Sequence, residues 1–360
     1  MTTPLIPWCF FLLLSCGSCG SVSGGVGAEK VVTTARADTS IDETHKESAF
    51  SKALIRPGTR ILENPDWYIW DSSPIVGEDG KIHVFFSRWP DEFGNWLSHS
   101  EIAHAVADRP EGPYTVIGTV LKGRGGDYWD GSTVHNPTIH KVGNKYALFY
   151  NGNNLTHAER YDGTLPSTQR IGLAIADDLN GEFKRVGDEP LLTMEDGKWD
   201  SYMNNNPALL QHPNGQYWLY YKAWDRYNDK LRKIGVAFAE QLEGPYRKYD
   251  GNPILRFEKA QVEDPYVFYY NDKFYLIARD MGVIHPRVGL LVTSDDGLHW
   301  SEPQLAYHKS SYYFEEEPRR FERPQVLFLG GRPAYLFLSL KGGKYDKSTG
   351  VVLKIDPDKF

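Results

Sequence analysis

Cysteine is almost missing from this sequence. Three occur in 360 residues, Cys9, Cys16 and Cys19, and all three stand at the very beginning. The remainder of the chain therefore has no disulfide, no thiolate metal site and no cysteine nucleophile, and its stability must come from packing. Basic runs are missing too. With a formal net charge of −7, the composition argues against nucleic acid as a partner. No apolar run is long enough to cross a bilayer: the longest, Leu5 to Leu14, has the length of a signal-peptide h-region.

That run is followed by dense Gly and Ser, as in a leader, although no Lys or Arg precedes it. Two cleavage boxes compete. "LLSC" would make Cys16 a lipidated first residue, and "VGA" ending at Ala28 is an ordinary site. The reading is a signal peptide over 1–28, a polar tether over 29–54 and one domain over 55–360. The protein is then exported: periplasmic, an outer-membrane lipoprotein, or secreted. A membrane enters only through the lipid anchor.

What the chain does have is aromatic rings, with ten Trp and 22 Tyr, and a repeat. Five stretches share one layout. The first opens with Asp71, Ser72, Ser73 and Pro74 and runs on as "IVGEDGKIHVFFSRW". The others are "HNPTIHKVGNKYALFYNG" from His135, "NNPALLQHPNGQYWLYYKAW" from Asn205, "EDPYVFYYNDKFYLIARD" from Glu263 and "ERPQVLFLGGRPAYLFLSL" from Glu322. Each has polar residues, a proline, a short apolar strand, a turn of Gly, Asn or Asp, and a second strand with aromatic alternation, which is a hairpin signal. The prolines, Pro74, Pro137, Pro207, Pro265 and Pro324, stand 58 to 70 residues apart. Third strands follow ("SEIAHAVAD", "RIGLAIAD", "KIGVAFAE", "VGLLVTSD"), then Gly-led outer strands ("EGPYTVIG", "NGEFKRVG", "EGPYRKYD", "DGLHWSEP"). Four strands per unit, radially repeated, predict an all-β, five-bladed β-propeller. The fifth unit ends one strand short at Phe360, and "GTRILEN" from Gly58 resembles the segments that follow the outer strands. The N-terminal strand is thus expected to complete the fifth blade and close the ring.

In a propeller the first strand of each blade lines the axis, and proline suits its first residue. Residues just before the prolines should converge on one funnel: Asp71 to Ser73, His135–Asn136, Asn205–Asn206, Glu263–Asp264 and Glu322–Arg323. Asp and Asn before proline are also ordinary turn starters. A structural cap would repeat one residue type, however, whereas these slots vary and hold carboxylates in three blades. Carboxylates facing one cavity are what glycosidic cleavage needs: one protonated donor, and another that activates water or attacks carbon. Arg88 and Arg279, at ends of second strands, are candidates to pair with the acids or clamp a substrate carboxylate or sulfate. Trp129, in "GGDYWDGSTVHNP", is the favoured ring for sugar stacking, and Asp130 beside it is a further acid. No cofactor is expected, although so many acids admit a structural divalent cation on the axis; no ligand spacing marks one.

The sequence resembles the five-bladed β-propeller glycoside hydrolases of families 43 and 117 over residues 55–358. The resemblance rests on "VEDPYVFYYNDKFYLIARD", "FERPQVLF", "HNPTIHKVGNKYALFYNG" and "SEIAHAVADRPEGPY". It implies Asp71 as general base, Asp264 as modulator or substrate anchor, and Glu322 as acid or its support. Where family 117 has a histidine before that glutamate, this chain has Phe321. Asp71 lies three residues before its proline and Asp264 one, so Asp130 stays open as a rival base. The expected activity is exo-acting, inverting hydrolysis of oligosaccharides, with His135, Asn136, Asn206, Arg88, Trp129, Asp130, Glu263, Arg279 and Arg323 around the sugar. A non-catalytic carbohydrate-binding propeller, and a sucrase-like or phosphorolytic enzyme on the same fold, are the alternatives. Specificity is expected in loops such as "RGGDYWDGSTV" and "NNLTHAERYDGTLPSTQ".

Overall fold

The computed structural model describes residues 46–155, 168–225, 229–317 and 319–360. The leader with its cysteines and cleavage boxes, and most of the loop "NNLTHAERYDGTLPSTQ", lie outside them.

A short strand, β1 (Thr59–Ile61), precedes four complete four-stranded blades. The first blade is β2 (Tyr68–Val76), β3 (Ile82–Trp89), β4 (Glu101–Ala107) and β5 (Thr115–Leu121). The second is β6 (Thr133–Val142), β7 (Lys145–Asn153), β8 (Arg170–Ala176) and β9 (Lys184–Arg185); the third is β10 (Met203–Gln211), β11 (Tyr217–Trp224), β12 (Lys233–Ala239) and β13 (Arg247–Lys248). The fourth is β14 (Gln261–Tyr270), β15 (Lys273–Met281), β16 (Gly289–Ser294) and β17 (Gln304–Tyr307). In the fifth, β18 (Glu322–Leu329), β19 (Arg332–Lys341) and β20 (Ser348–Lys354) take β1 as their fourth strand, with Arg60 opposite Val351. The fold is an all-β, five-bladed propeller.

Each blade is covered on both faces, which is why its second strand reads as a continuous apolar run. In β3, Phe85 enters the core shared with the second blade, while Val84 and Phe86 enter the one shared with the fifth. Five such cores lie between neighbouring blades. The polar tether expected over 29–54 ends earlier than its composition suggested. Helix α1 (Ala49–Ala53) inserts the fully buried Phe50 between the fourth and fifth blades, and the Ser48 hydroxyl both caps it and donates to the carbonyl of Leu305 at 2.7 Å.

Trp129 and Asp130 have a structural role that recurs one blade on. Trp129 stacks on Tyr150 at 5.8 Å, over Gly172, where any Cβ would strike the rings. Asp130, fully buried, accepts from Tyr150 Oη at 2.9 Å, Arg124 Nε at 2.6 Å and Arg185 Nε at 2.8 Å. In the third blade Trp199 lies on Tyr221 over Gly235, and Asp200 binds Lys248 Nζ at 2.5 Å. The W-D pair therefore pins each outer strand to its blade. Asp130→Ala is expected to cost about 3 kcal/mol, because it removes the buried counter-charge shared by Arg124 and Arg185 and leaves them, among the described residues, hydrogen-bonded only to Asp188 and the Lys122 carbonyl; chemical denaturation measures this, and substrate KM should not move.

Candidate active site

Every first strand carries the same bulge. Two residues oppose one at Asp71–Ser72, Asn136–Pro137, Asn206–Pro207, Asp264–Pro265 and Arg323–Pro324. The first residue of each has φ between 53° and 59°. Asp and Asn tolerate this left-handed conformation, and bulges re-aim side chains. The first-blade proline is therefore not the counterpart of the others: Ser72 holds that place, Pro74 lies beyond the bulge opposite Val84, and Asp71 is in register with Asp264. Arg323 adopts the same conformation without the Asx advantage, and backbone held so against preference is common at functional sites.

The bulge residues form a buried polar floor. Arg323 Nε reaches Asp71 Oδ2 at 3.0 Å and Arg323 Nη1 reaches Asp264 Oδ1 at 3.4 Å. Asn206 donates to Asp264 Oδ1 at 2.6 Å, and Asn136 donates to Asn206 Oδ1 at 2.8 Å. The backbone N–H groups of Asp71, Asn136 and Asn206 are accepted by Ser339, Ser87 and Asn151, each on the preceding blade's second strand.

One residue earlier, Trp70, His135, Asn205, Glu263 and Glu322 form a second ring that lines a cavity of about 310 Å³. Glu263 is held by cations: Lys222 Nζ at 3.1 Å, Arg232 Nε at 3.4 Å and the Arg279 guanidinium. Burial pushes its carboxyl up, but Lys222, Arg232 and Arg279 outweigh burial and hold it well below the usual carboxylate range. Glu322 moves the other way. Burial raises it; Arg279 at 3.1 Å and Arg320 at 2.6 Å oppose; and the charges of Asp264 and Glu263 raise it further. Two neighbouring carboxyls are thus pushed apart in proton affinity, one held low by its cations and the other raised by burial and its acidic neighbours. Burial also drives Asp71 up to about 7, with Arg323 opposing. It brings His135, whose Nε2 faces Gln169 Oε1 at 3.3 Å, down to about 3, so this imidazole is neutral.

One oxygen from each of Glu263, Asp264 and Glu322 lies within 4.8 Å of the others. Lys222, Arg232, Arg279 and Arg323 already supply the counter-charge that a cation would bring to these three. Several buried polar atoms at the cavity lack a partner among the described residues: His135 Nδ1, Gln169 Nε2, Asn205 Oδ1, Arg279 Nε and Arg323 Nη2. Unpaired groups aimed into a cavity are ready donors and acceptors for a hydroxylated ligand.

Of the residues singled out in the sequence, His135, Asn136, Asn206, Glu263, Asp264, Arg279, Glu322 and Arg323 line this cavity. Asp71 lies in the floor, fully buried and outside the lining. Arg88 is elsewhere. Its counterpart in register is Asp280, not Arg279, because Arg88 opposes Ile69 whereas Arg279 opposes Glu263. A one-residue offset turns a strand side chain to the other face, and Arg88 pairs with Glu101 at 2.8 Å and lies over Trp67. Trp129 and Asp130 likewise sit in their latch and not in the cavity. The sequence reading missed Lys222, Arg232, Gln169, Phe93 and Trp96. Lys222 was accessible through "LYYK", which aligns with "LIAR" and puts Lys222 in the Arg279 slot.

No family model matches the chain. One curated relative, an extracellular endo-α-(1→5)-L-arabinanase of Thermotoga petrophila, is 29% identical over 157 residues, 38% of this chain and 31% of that protein, so the chain spans about a third of its length. Similar structures include a family 117 glycoside hydrolase of Zobellia galactanivorans, with a TM-score of 0.62 and 16% identity over 84% of this chain and 89% of that one. Another is a family 43 β-xylosidase/α-arabinofuranosidase from a compost metagenome, with a TM-score of 0.55 and 17% identity over 83% and 95%. The chain resembles the five-bladed glycoside hydrolases of families 43 and 117 in fold.

Proposed function

We propose that this protein is a glycoside hydrolase that removes single sugars from the ends of oligosaccharides. The observation that carries the reading is the adjacent pair Glu322 and Glu263, one carboxyl pushed up and its neighbour pushed down within one cavity. Glu322 donates its proton to the glycosidic oxygen as the bond to the anomeric carbon breaks. Burial raises the Glu322 carboxyl, and the charges of Asp264 and Glu263 add to that rise against Arg279 and Arg320. The cavity has a closed polar floor and the small volume of a site for one sugar unit, which suits action at chain ends.

Inversion needs a base separated from the acid by roughly 6.5–9.5 Å, room for a water molecule. Glu263 and Asp264 are too close to Glu322 for this and are engaged by cations and amides. Asp71 has the suitable proton affinity, near neutrality, and its Oδ1 has no partner among the described residues. It lies one layer below the cavity, so service as the base requires a water between it and the sugar. Hydrolysis is favoured over phosphorolysis because Lys222, Arg232, Arg279 and Arg323 each lie within 3.4 Å of a carboxylate. The leader, ending just before Cys16 or at Ala28, delivers the enzyme outside the cytoplasm.

The test is a chromatographic screen of the purified protein on plant and marine oligosaccharides, with NMR of the first-formed anomer. Release of one monosaccharide with inverted configuration is the expected result, and Asp71→Asn should lower kcat at least about 100-fold. A retained anomer would remove Asp71 as base. Sugar binding without release from any member of the panel would replace the hydrolase by a carbohydrate-binding propeller.

A further inference from the structure

Beyond Glu322 the cavity continues into a second cleft of about 440 Å³, and Trp70, Phe93, Arg320 and Glu322 form their common wall. Arg287, Arg319 and Lys341 complete its charged lining. Four cations thus line one cleft in a chain whose net charge is −7, and the one carboxylate among the described lining residues, Glu322, pairs with only one of them, Arg320, at 2.6 Å. So local a reversal of sign, beside a site built for sugars, has a ligand consequence: it attracts and orients negative groups.

The cations are held in place from three separate segments. Arg287 stands on the loop after β15, whose backbone is fixed by the buried Asp280. That carboxylate accepts the N–H groups of Gly282, Val283, Ile284 and His285 at 2.7–2.9 Å. Arg319 is anchored through its backbone to the buried Ser310, whose hydroxyl accepts the Arg319 N–H at 2.8 Å. Lys341, at the end of β19, lies over the Phe93 ring at 4.6 Å. Trp70 meets Phe93 edge to face at 5.6 Å, so aromatic surface suited to a sugar lies beside the charges.

We infer that this cleft is the leaving-group subsite and that it takes a sugar bearing an anionic substituent, either a carboxylate or a sulfate ester. Guanidinium groups bind both oxyanions through paired donors, and the lysine adds a point charge. The position on the leaving-group side rests on Glu322 being the proton donor. Anion selection by Arg319 and Lys341 does not.

The experiment titrates the full chain carrying Glu322→Gln, with and without Arg319→Ala and Lys341→Ala, by calorimetry. Its probes are tetragalacturonate, a sulfated galactan tetrasaccharide and a neutral galactan tetrasaccharide. One anionic probe should bind at least about ten-fold tighter than the neutral one, and the advantage should fall about ten-fold in the double variant and shrink with added salt. Which anionic probe wins separates uronate from sulfate. Equal affinity for all three, or a preference that survives both substitutions with the fold intact by thermal melting, overturns the subsite. Hydrolysis by the wild-type chain is followed in parallel. Neutral substrate cleaved without anionic preference leaves the hydrolase and removes the subsite. Anionic preference lost in the double variant, with nothing cleaved, does the reverse.

Discussion

Glu322→Gln is expected to lower kcat about 10³-fold and leave KM within a few-fold. The substitution keeps the shape of the side chain and its place beside Arg279 and Arg320, but an amide cannot donate the proton that an expelled sugar oxygen requires. General acid catalysis accounts for roughly 10²–10⁴ in rate. The loss should be largely recovered on an aryl glycoside, whose leaving group needs no proton. The pH profile supplies a second check. Activity requires Glu322 protonated and the base Asp71 ionised, so the limb that Glu322 sets falls as pH rises through its raised value. Removing a neighbouring negative charge with Asp264→Asn withdraws one cause of that rise and moves the alkaline limb to lower pH. Unchanged activity of Glu322→Gln on natural oligosaccharides, or an alkaline limb that Asp264→Asn does not move, would place the proton donor elsewhere.

The fold was legible because its signal is repeated and local. Each blade offers a proline, a Gly- or Asn-bearing turn and an apolar second strand, so an error in one copy is corrected by the other four. The site depends on single residues and is easier to misread. Aligning Pro74 with Pro137 shifted the first blade by two positions. Aligning Arg88 with Arg279 shifted it by one, which sent the side chain through the sheet to Glu101. The bulge itself could have set the register: Asp71, Asn136, Asn206 and Asp264 are the residue types that accept positive φ. Trp129 and Asp130 misled for another reason. Aromatic and acidic side chains serve a latch as well as a sugar site, and the difference lies in Tyr150 and Arg185, which are distant in sequence. Phe93 and Trp96 reach the cavity from a short helical connection between β3 and β4, with no repeat to announce it.

Arg323→Asn is expected to cost about 3–5 kcal/mol of stability above neutral pH, although asparagine suits the backbone conformation there better than arginine does. Arg323 is buried and bridges Asp71 to Asp264, so its loss leaves two buried carboxylates facing each other without a counter-charge. The deficit must depend on pH. Burial already drives the Asp71 carboxyl from 3.8 to about 7 while Arg323 pulls it down, and without the arginine it climbs higher. A carboxyl whose folded value lies above its unfolded one favours the folded state below the unfolded value, and that advantage is lost as pH rises through the folded one. In the native protein this proton corresponds to about 4 kcal/mol, lost between about pH 4 and pH 7. Glu263, held low by its cations, has the opposite slope, but only below the ordinary carboxylate range, so the two windows do not overlap. Urea denaturation of Arg323→Asn should therefore show its smallest deficit near pH 4.5 and its largest near pH 8. Adding Asp71→Asn should recover most of the loss at pH 8 and little at pH 4.5. A deficit that is flat from pH 4.5 to pH 8 would mean that Arg323 holds the floor together by filling space, with its charge immaterial. Asp71 would then lose the counter-charge argument that keeps its proton affinity near neutrality, and with it the case for its service as the base.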